Sequence, residues 1–100
     1  MNDLLNFQVK TIDIQAKEWF DKVNGNSYFS AKVTVNYGME NEQSFNLPFQ
    51  YGYGSQYEQE SFSELKKRGL INVTYTHSLR EQGVIVRSYI QKNCLKRDLK

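Results

Sequence analysis

A single cysteine (Cys94), a single histidine (His77), a single proline (Pro48) and a single tryptophan (Trp19) set the first limits on this 100-residue chain. One cysteine excludes a disulfide within the chain, and together with one histidine it leaves too few ligands for a Cys/His zinc cage. Any Ser-His-Asp or Cys-His machinery would have to be built around His77 alone. No stretch approaches the ~18 consecutive apolar residues that a membrane span needs. There is no internal repeat, low-complexity run or linker, so one domain over residues 1–100 is expected, within the roughly 50–200 residues that share one core. The opening Met-Asn-Asp-Leu-Leu-Asn-Phe carries neither the basic nor the apolar part of a secretory signal. With the unpaired Cys94, this makes a cytoplasmic protein the expectation, in which the sequon Asn72-Val73-Thr74 is inert.

Aromatic residues, by contrast, are plentiful: six Phe, seven Tyr and Trp19. Such side chains serve small cores and recognition surfaces alike. The net charge of +2 divides unevenly: residues 1–54 carry four Lys/Arg against six Asp/Glu, and residues 55–100 carry nine against five. The basic end suits nucleic acid or an acidic protein surface, or serves as a solvated tail that keeps a small domain soluble.

Strand signals are clean. Phe29, Ala31, Val33, Val35 and Tyr37 alternate with Ser30, Lys32, Thr34 and Asn36. Phe45, Leu47, Phe49 and Tyr51 alternate with Ser44, Asn46, Pro48 and Gln50. Period-2 alternation marks strands with one buried and one wet face, hence an antiparallel sheet. Gly38-Met39-Glu40-Asn41-Glu42 joins the two as a hairpin, and Pro48, which cannot donate to a ladder, predicts a free side on the second strand. A second hairpin is predicted from Ile71, Val73 and Tyr75 through a turn at His77–Gly83 to Val84, Val86 and Ile90. Phe7–Ile14 predicts a further strand, with a phase slip between Val9 and Ile12 that suggests a bulge or a change of facing.

Two helices fit between the strands. Gln15–Val23 holds the helix formers Ala16, Lys17, Glu18 and Lys22, stopped by Asn24-Gly25. Ser55 with Glu58 predicts a capping box that opens a helix running to Lys66-Lys67-Arg68 and ending at Gly69. The expected class is α+β, an antiparallel sheet with two short helices in the order β-α-β-β-α-β-β. Ferredoxin-like packing with an extra strand accommodates this order, as does a helix-decorated antiparallel sheet.

Several places combine polar and aromatic groups. Phe49-Gln50-Tyr51-Gly52-Tyr53-Gly54-Ser55 joins a strand to a helix start. Its free N–H groups suit an anion and Tyr51 and Tyr53 a stacking face, although the spacing matches neither a P-loop nor G-x-G-x-x-G. The alternative is a tight turn with packed tyrosines. Asn24-Gly25-Asn26-Ser27-Tyr28 gathers amides and hydroxyls at one turn, for structure or for contact. Trp19 and Phe20 cannot both enter one core from a helix, so one is left to anchor a partner or to pack elsewhere. His77 lacks a paired carboxylate motif, and Cys94 reads as a packing thiol. For nucleic acid, Lys66-Lys67-Arg68, the basic end and the tyrosines count in favour. A pI of about 8.7 and the missing aromatic signature of an RNA-recognition sheet count against.

Three blocks carry a resemblance. The run from Ala16 to Phe29 (Ala16-Lys17-Glu18-Trp19-Phe20 onward), Pro48-Phe49-Gln50-Tyr51-Gly52-Tyr53-Gly54 and Asn93-Cys94-Leu95-Lys96-Arg97-Asp98 resemble a family of small proteins encoded by phages and integrated mobile elements. The resemblance spans most of the chain and brings no catalytic residues with it. It implies a short accessory gene, and many such genes make stand-alone inhibitors of host defences, CRISPR effector complexes among them. The expectation is therefore a non-enzymatic, anti-CRISPR-like binding protein without metal or cofactor. Its expected contacts with a host protein or nucleoprotein complex are Trp19, Asn24, Asn26, Tyr51, Tyr53, Lys66, Lys67, Arg68 and Arg97. The second expectation is a small nucleic-acid-binding accessory protein that uses the basic C-terminal half. No membrane partner is expected, and a homodimer through a free strand edge is compatible with both readings.

Overall fold

Alternation governs the first strand. Ile12, Ile14 and Ala16 are buried while Gln15 and Lys17 between them are exposed, which is the pattern of a strand with one face on a core. The computed structural model describes residues 9–71 and 76–99. In chain order it contains β1 (Thr11–Asp21), β2 (Asn26–Val35), β3 (Gln43–Tyr51), α1 (Gln56–Lys67), α2 (Thr76–Glu81), β4 (Ile85–Gln91) and a 3-10 turn (Lys96–Leu99). The sheet order is β3-β2-β1-β4, so β3 and β4 are the edges. The first three strands form an antiparallel meander, and β4 adds to β1 in parallel.

The α+β class expected from the sequence is the one observed, but its interior order differs. The helix expected at Gln15–Val23 is the second half of β1. Its helix formers are worth only tenths of a kcal/mol each. They are overridden because β1 is a central strand, paired from Ile12↔Val35 to Asp21↔Asn26 on one side and from Thr11↔Ile85 to Lys17↔Gln91 on the other. Three strands thus precede the first helix, which excludes the ferredoxin-like order. The sheet is mixed, not antiparallel, because β4 joins β1 instead of closing a second hairpin. Residues 72–75 of that expected hairpin, and Phe7 and Gln8 of the expected first strand, lie outside the described residues. The turn expected at His77–Gly83 is mostly α2.

The bulge expected near Val9 is found elsewhere: β1 pairs without a shift, whereas β3 pairs Leu47 with Ala31 and then Gln50 with Phe29. The extra residue falls at Pro48-Phe49, on the edge strand that Pro48 predicted.

Helices cover one face only. Tyr57, Phe62 and Leu65 of α1 and Leu79 of α2 join Ile12, Ile14, Phe29, Val33, Val35, Phe45, Leu47 and Val86 in one buried cluster. The capping box at Ser55 does not form. Ser55 makes no side-chain cap bond, and its carbonyl accepts the N–H groups of Glu58 and Gln59 at 3.0 and 3.3 Å.

Beyond β2, Asn36 departs from the wet position its alternation suggested. It is fully buried with φ +56°, and its Oδ1 accepts the N–H groups of Lys10 (2.6 Å) and Thr11 (3.2 Å). This left-handed residue ends the strand and turns Tyr37 outward, 68% exposed.

Candidate binding face

The opposite face of the sheet carries no helix. Register places Asp13, Gln15, Lys17 and Trp19 of β1 on it, beside Thr34, Lys32, Ser30 and Tyr28 of β2, and Arg87, Tyr89 and Gln91 of β4. On β3 the bulge changes the facing. Phe45 and Leu47 point into the core, but one inserted residue later Phe49 and Tyr51 point outward with Tyr28. The sequence pattern had set all four on one face.

That reversal builds an aromatic cluster at the end of the sheet where the β1–β2 turn lies. Tyr28 stacks on Trp19 at 5.5 Å between centroids and on Phe49 at 5.0 Å, and Tyr51 meets Tyr28 edge-on at 5.8 Å. Lys96 of the 3-10 turn lies over the Trp19 and Phe49 rings at 5.5 and 6.0 Å. The 3-10 turn packs on β1 and β2 on this side, and its Leu99 is buried outside the main core. Cys94 is also buried; its N–H donates to the Glu18 carbonyl (3.0 Å) and its thiol to the Gln91 carbonyl (3.3 Å), the packing role expected of it.

The turn between β1 and β2 is internally satisfied. Asp21 accepts the side-chain amide of Asn24 (2.8 Å) and the backbone N–H groups of Val23 and Asn24 (3.0 and 3.3 Å), and Gly25 takes φ +72°. The Asn24 side-chain bond, then these backbone bonds, hold the Asp21 carboxyl below the ordinary range, with a smaller contribution from Lys96. The Gly52-Tyr53-Gly54 loop serves the fold in a comparable way. Gly52 donates to the Ser27 carbonyl at 3.0 Å, and a Cβ there would lie 2.6 Å from the Phe29 ring, while Gly54 has φ +63°.

Of the residues expected to bind, the structure gathers Trp19, Asn24, Asn26, Tyr51 and Tyr53 at this one end, with Arg97 exposed on the adjacent 3-10 turn. Phe20 and Val23, the latter 92% exposed, add apolar surface there. The Lys66-Lys67-Arg68 cluster is not part of it. It ends α1 on the helical layer, where Arg68 pairs with Glu64 (2.8 Å) and lies 4.2 Å over Phe45.

Next to the aromatic cluster lies a groove of about 680 Å3 that sequence reasoning missed. Its polar lining comes from Gln15, Lys17, Ser30, Lys32, Asn46, Tyr89, Gln91 and Asp98. The signal for it was available: the wet-face alternation of β2 and β3 named Ser30, Lys32 and Asn46, but Gln15 and Lys17 were hidden in the expected helix. No family model matches the chain, and neither the curated proteins nor the solved structures contain a significant match. No helix among the described residues is long and apolar enough to cross a membrane.

Proposed function

We propose that the protein is a non-enzymatic binding protein of a phage or mobile element that inhibits a host defence complex by contact, in the manner of an anti-CRISPR. The phage origin rests on the three sequence blocks described above. The observation that supports contact is the one-sided sheet: its uncovered face ends in a half-buried aromatic cluster edged by the exposed Val23, Tyr51 and Tyr53. Aromatic anchors in a partly desolvated setting, rimmed by amides and cations, have the composition of interface hot spots. Asn26 and Arg97 supply that rim, whereas the Asn24 amide is committed to Asp21. The Lys66–Arg68 cluster has no part in this surface.

A plaque assay is the direct test. In cells whose CRISPR system targets a given phage, expression of the chain should restore plaques. A Tyr51→Ala/Tyr53→Ala double variant should lose that effect while keeping its fold, and a Lys66→Gln/Lys67→Gln variant should keep both. Undiminished targeting across several CRISPR types would count against the inhibitor reading.

A further inference from the structure

The groove beside the aromatic cluster has its own chemistry. Two rows of side chains cross the sheet there: Asn46, Lys32, Gln15 and Tyr89 in one, and Ser30, Lys17 and Gln91 in the next. Strands lie ~4.8 Å apart, so the first row spans roughly 14 Å from β3 to β4. Lys17 and Lys32 are diagonal cross-strand neighbours, roughly 7–8 Å apart by sheet geometry. Neither has an ion-pair or hydrogen-bond partner among the described residues.

Of the acids nearby, one is paired with a cation, whereas Asp98 lines the groove with its charge intact and leaves Lys17, Lys32 and Asp98 a formal net charge of +1. Asp13 holds Arg87 at 2.7 Å, and Asp98 accepts the Leu95 N–H at 2.9 Å. Two adjacent like charges on an open face repel each other, and a ligand bearing spaced negative charges relieves that repulsion. Rings stand at opposite walls, Phe49 on β3 and Tyr89, 63% exposed, on β4. Amides between them, at Gln15, Asn46 and Gln91, offer both donors and acceptors.

We infer that this groove binds single-stranded nucleic acid, its phosphates held by Lys17 and Lys32 and a base stacked on Tyr89. Cations that follow a backbone, aromatic faces that accept any base and amides that meet base edges are together the features of a single-strand site. An acidic peptide would be served by the lysines but not by the rings and amides. The inference rests on the proposed function in one respect, that the uncovered face is the binding surface. It names the component of a host nucleoprotein complex that this part of the face would grip.

The test is fluorescence anisotropy with a labelled oligothymidine and a labelled oligouridine, each of about 12 nucleotides, a length within the site sizes of small single-strand-binding domains. At ~50 mM salt the chain should bind at least one of them, with log affinity falling linearly in log salt. Lys17→Gln/Lys32→Gln should reduce the salt slope by ~1.4, since each single-strand phosphate contact contributes ~0.7. Tyr89→Ala should weaken binding about tenfold with the slope unchanged. Lys66→Gln/Lys67→Gln, with the same loss of net charge on the helical layer, should leave both quantities as they were. Far-ultraviolet circular dichroism checks that each variant is folded. The inference is overturned if neither oligonucleotide binds at low salt, or if the helical-layer variant loses as much as the groove variant. It is equally overturned if a poly-glutamate peptide binds as tightly as the oligonucleotides, because the site would then belong to an acidic protein. A chain that restores plaques without binding either oligonucleotide sinks only this inference. One that binds them without restoring plaques sinks only the inhibitor reading.

Discussion

Three residues carry conformations or bonds that their neighbours cannot replace. Asn36 combines a left-handed backbone with two accepted N–H bonds that tie the exit of β2 to the start of β1. Alanine there would leave part-buried donors unpaired and keep the left-handed backbone without the side-chain bonds that let asparagine tolerate it, so Asn36→Ala should cost about 2–4 kcal/mol in urea denaturation. Gly52 is needed for closeness, not for a positive φ. With the Phe29 ring 2.6 Å from where a Cβ would sit, Gly52→Ala forces the ring or the loop to move and should destabilise by roughly 1–3 kcal/mol. Asp21 gives a pH effect of defined sign. Because hydrogen bonds lower its carboxyl pKa in the folded chain, the ionised form favours folding above the unfolded carboxylate range. That contribution is lost as pH falls through the folded value. Asn24→Ala removes the largest cause of the shift. Followed by carboxyl 13C NMR, the Asp21 midpoint should rise toward that of an ordinary aspartate.

At the scale of elements, the bulge in β3 governs which surface the molecule presents. One inserted residue transfers Phe49 and Tyr51 from the core face to the open face and brings Gln50 inward opposite Phe29. Deleting Pro48 removes the extra residue and places Phe49 opposite Ser30, so Phe49 and Tyr51 should keep the open face without the bulge. The expected outcome is a Trp19 emission that stays unshifted, because Tyr28, stacked on Trp19, and Phe49 both remain beside it. The two meander strands after β1, their hairpin, α1 and the edge position of β3 were legible because period 2, a run of helix formers and a lone proline each report a local requirement. The strand nature of residues 15–21 was not. Its Ile12, Ile14, Ala16 alternation continues into a segment rich in helix formers, and the decision belongs to two partner strands, one of them 74 residues away at the Asp13–Arg87 pair. The groove was missed for the same reason, since Gln15, Ala16 and Lys17 of its floor lie in that segment. The aromatic end was found in part. Trp19, Tyr51 and Tyr53 stood out by type, whereas Tyr28 joined Trp19 through the β1–β2 pairing that the expected helix had hidden, and Phe49 only through a bulge that alternation alone cannot show.

For the whole molecule, charge along the chain and charge in space tell different stories. Residues 1–54 carry the net negative share, four Lys/Arg against six Asp/Glu, yet they supply the two unpartnered lysines of the groove. The Lys66–Arg68 cluster of the basic half sits on the far layer, and within it Arg68 is neutralised by Glu64. A reading from the net charge of segments would therefore direct mutagenesis to the layer opposite the groove.

The parallel β1–β4 pairing also divides the molecule in time. The β1–β2 and β2–β3 hairpins close over short turns, whereas β4 reaches β1 across a separation of 74 residues. By loop-closure scaling that step costs roughly 2 kcal/mol more than closing a short turn, so the meander should assemble first and β4 dock late. Substitutions should then separate in stopped-flow measurements. Val33→Ala in β2 should mainly slow refolding, while Val86→Ala in β4 should mainly accelerate unfolding. The wall that carries Tyr89 and Gln91 would be the last piece of the groove to arrive and the first to leave, so the groove exists as a site only once the final folding step is complete.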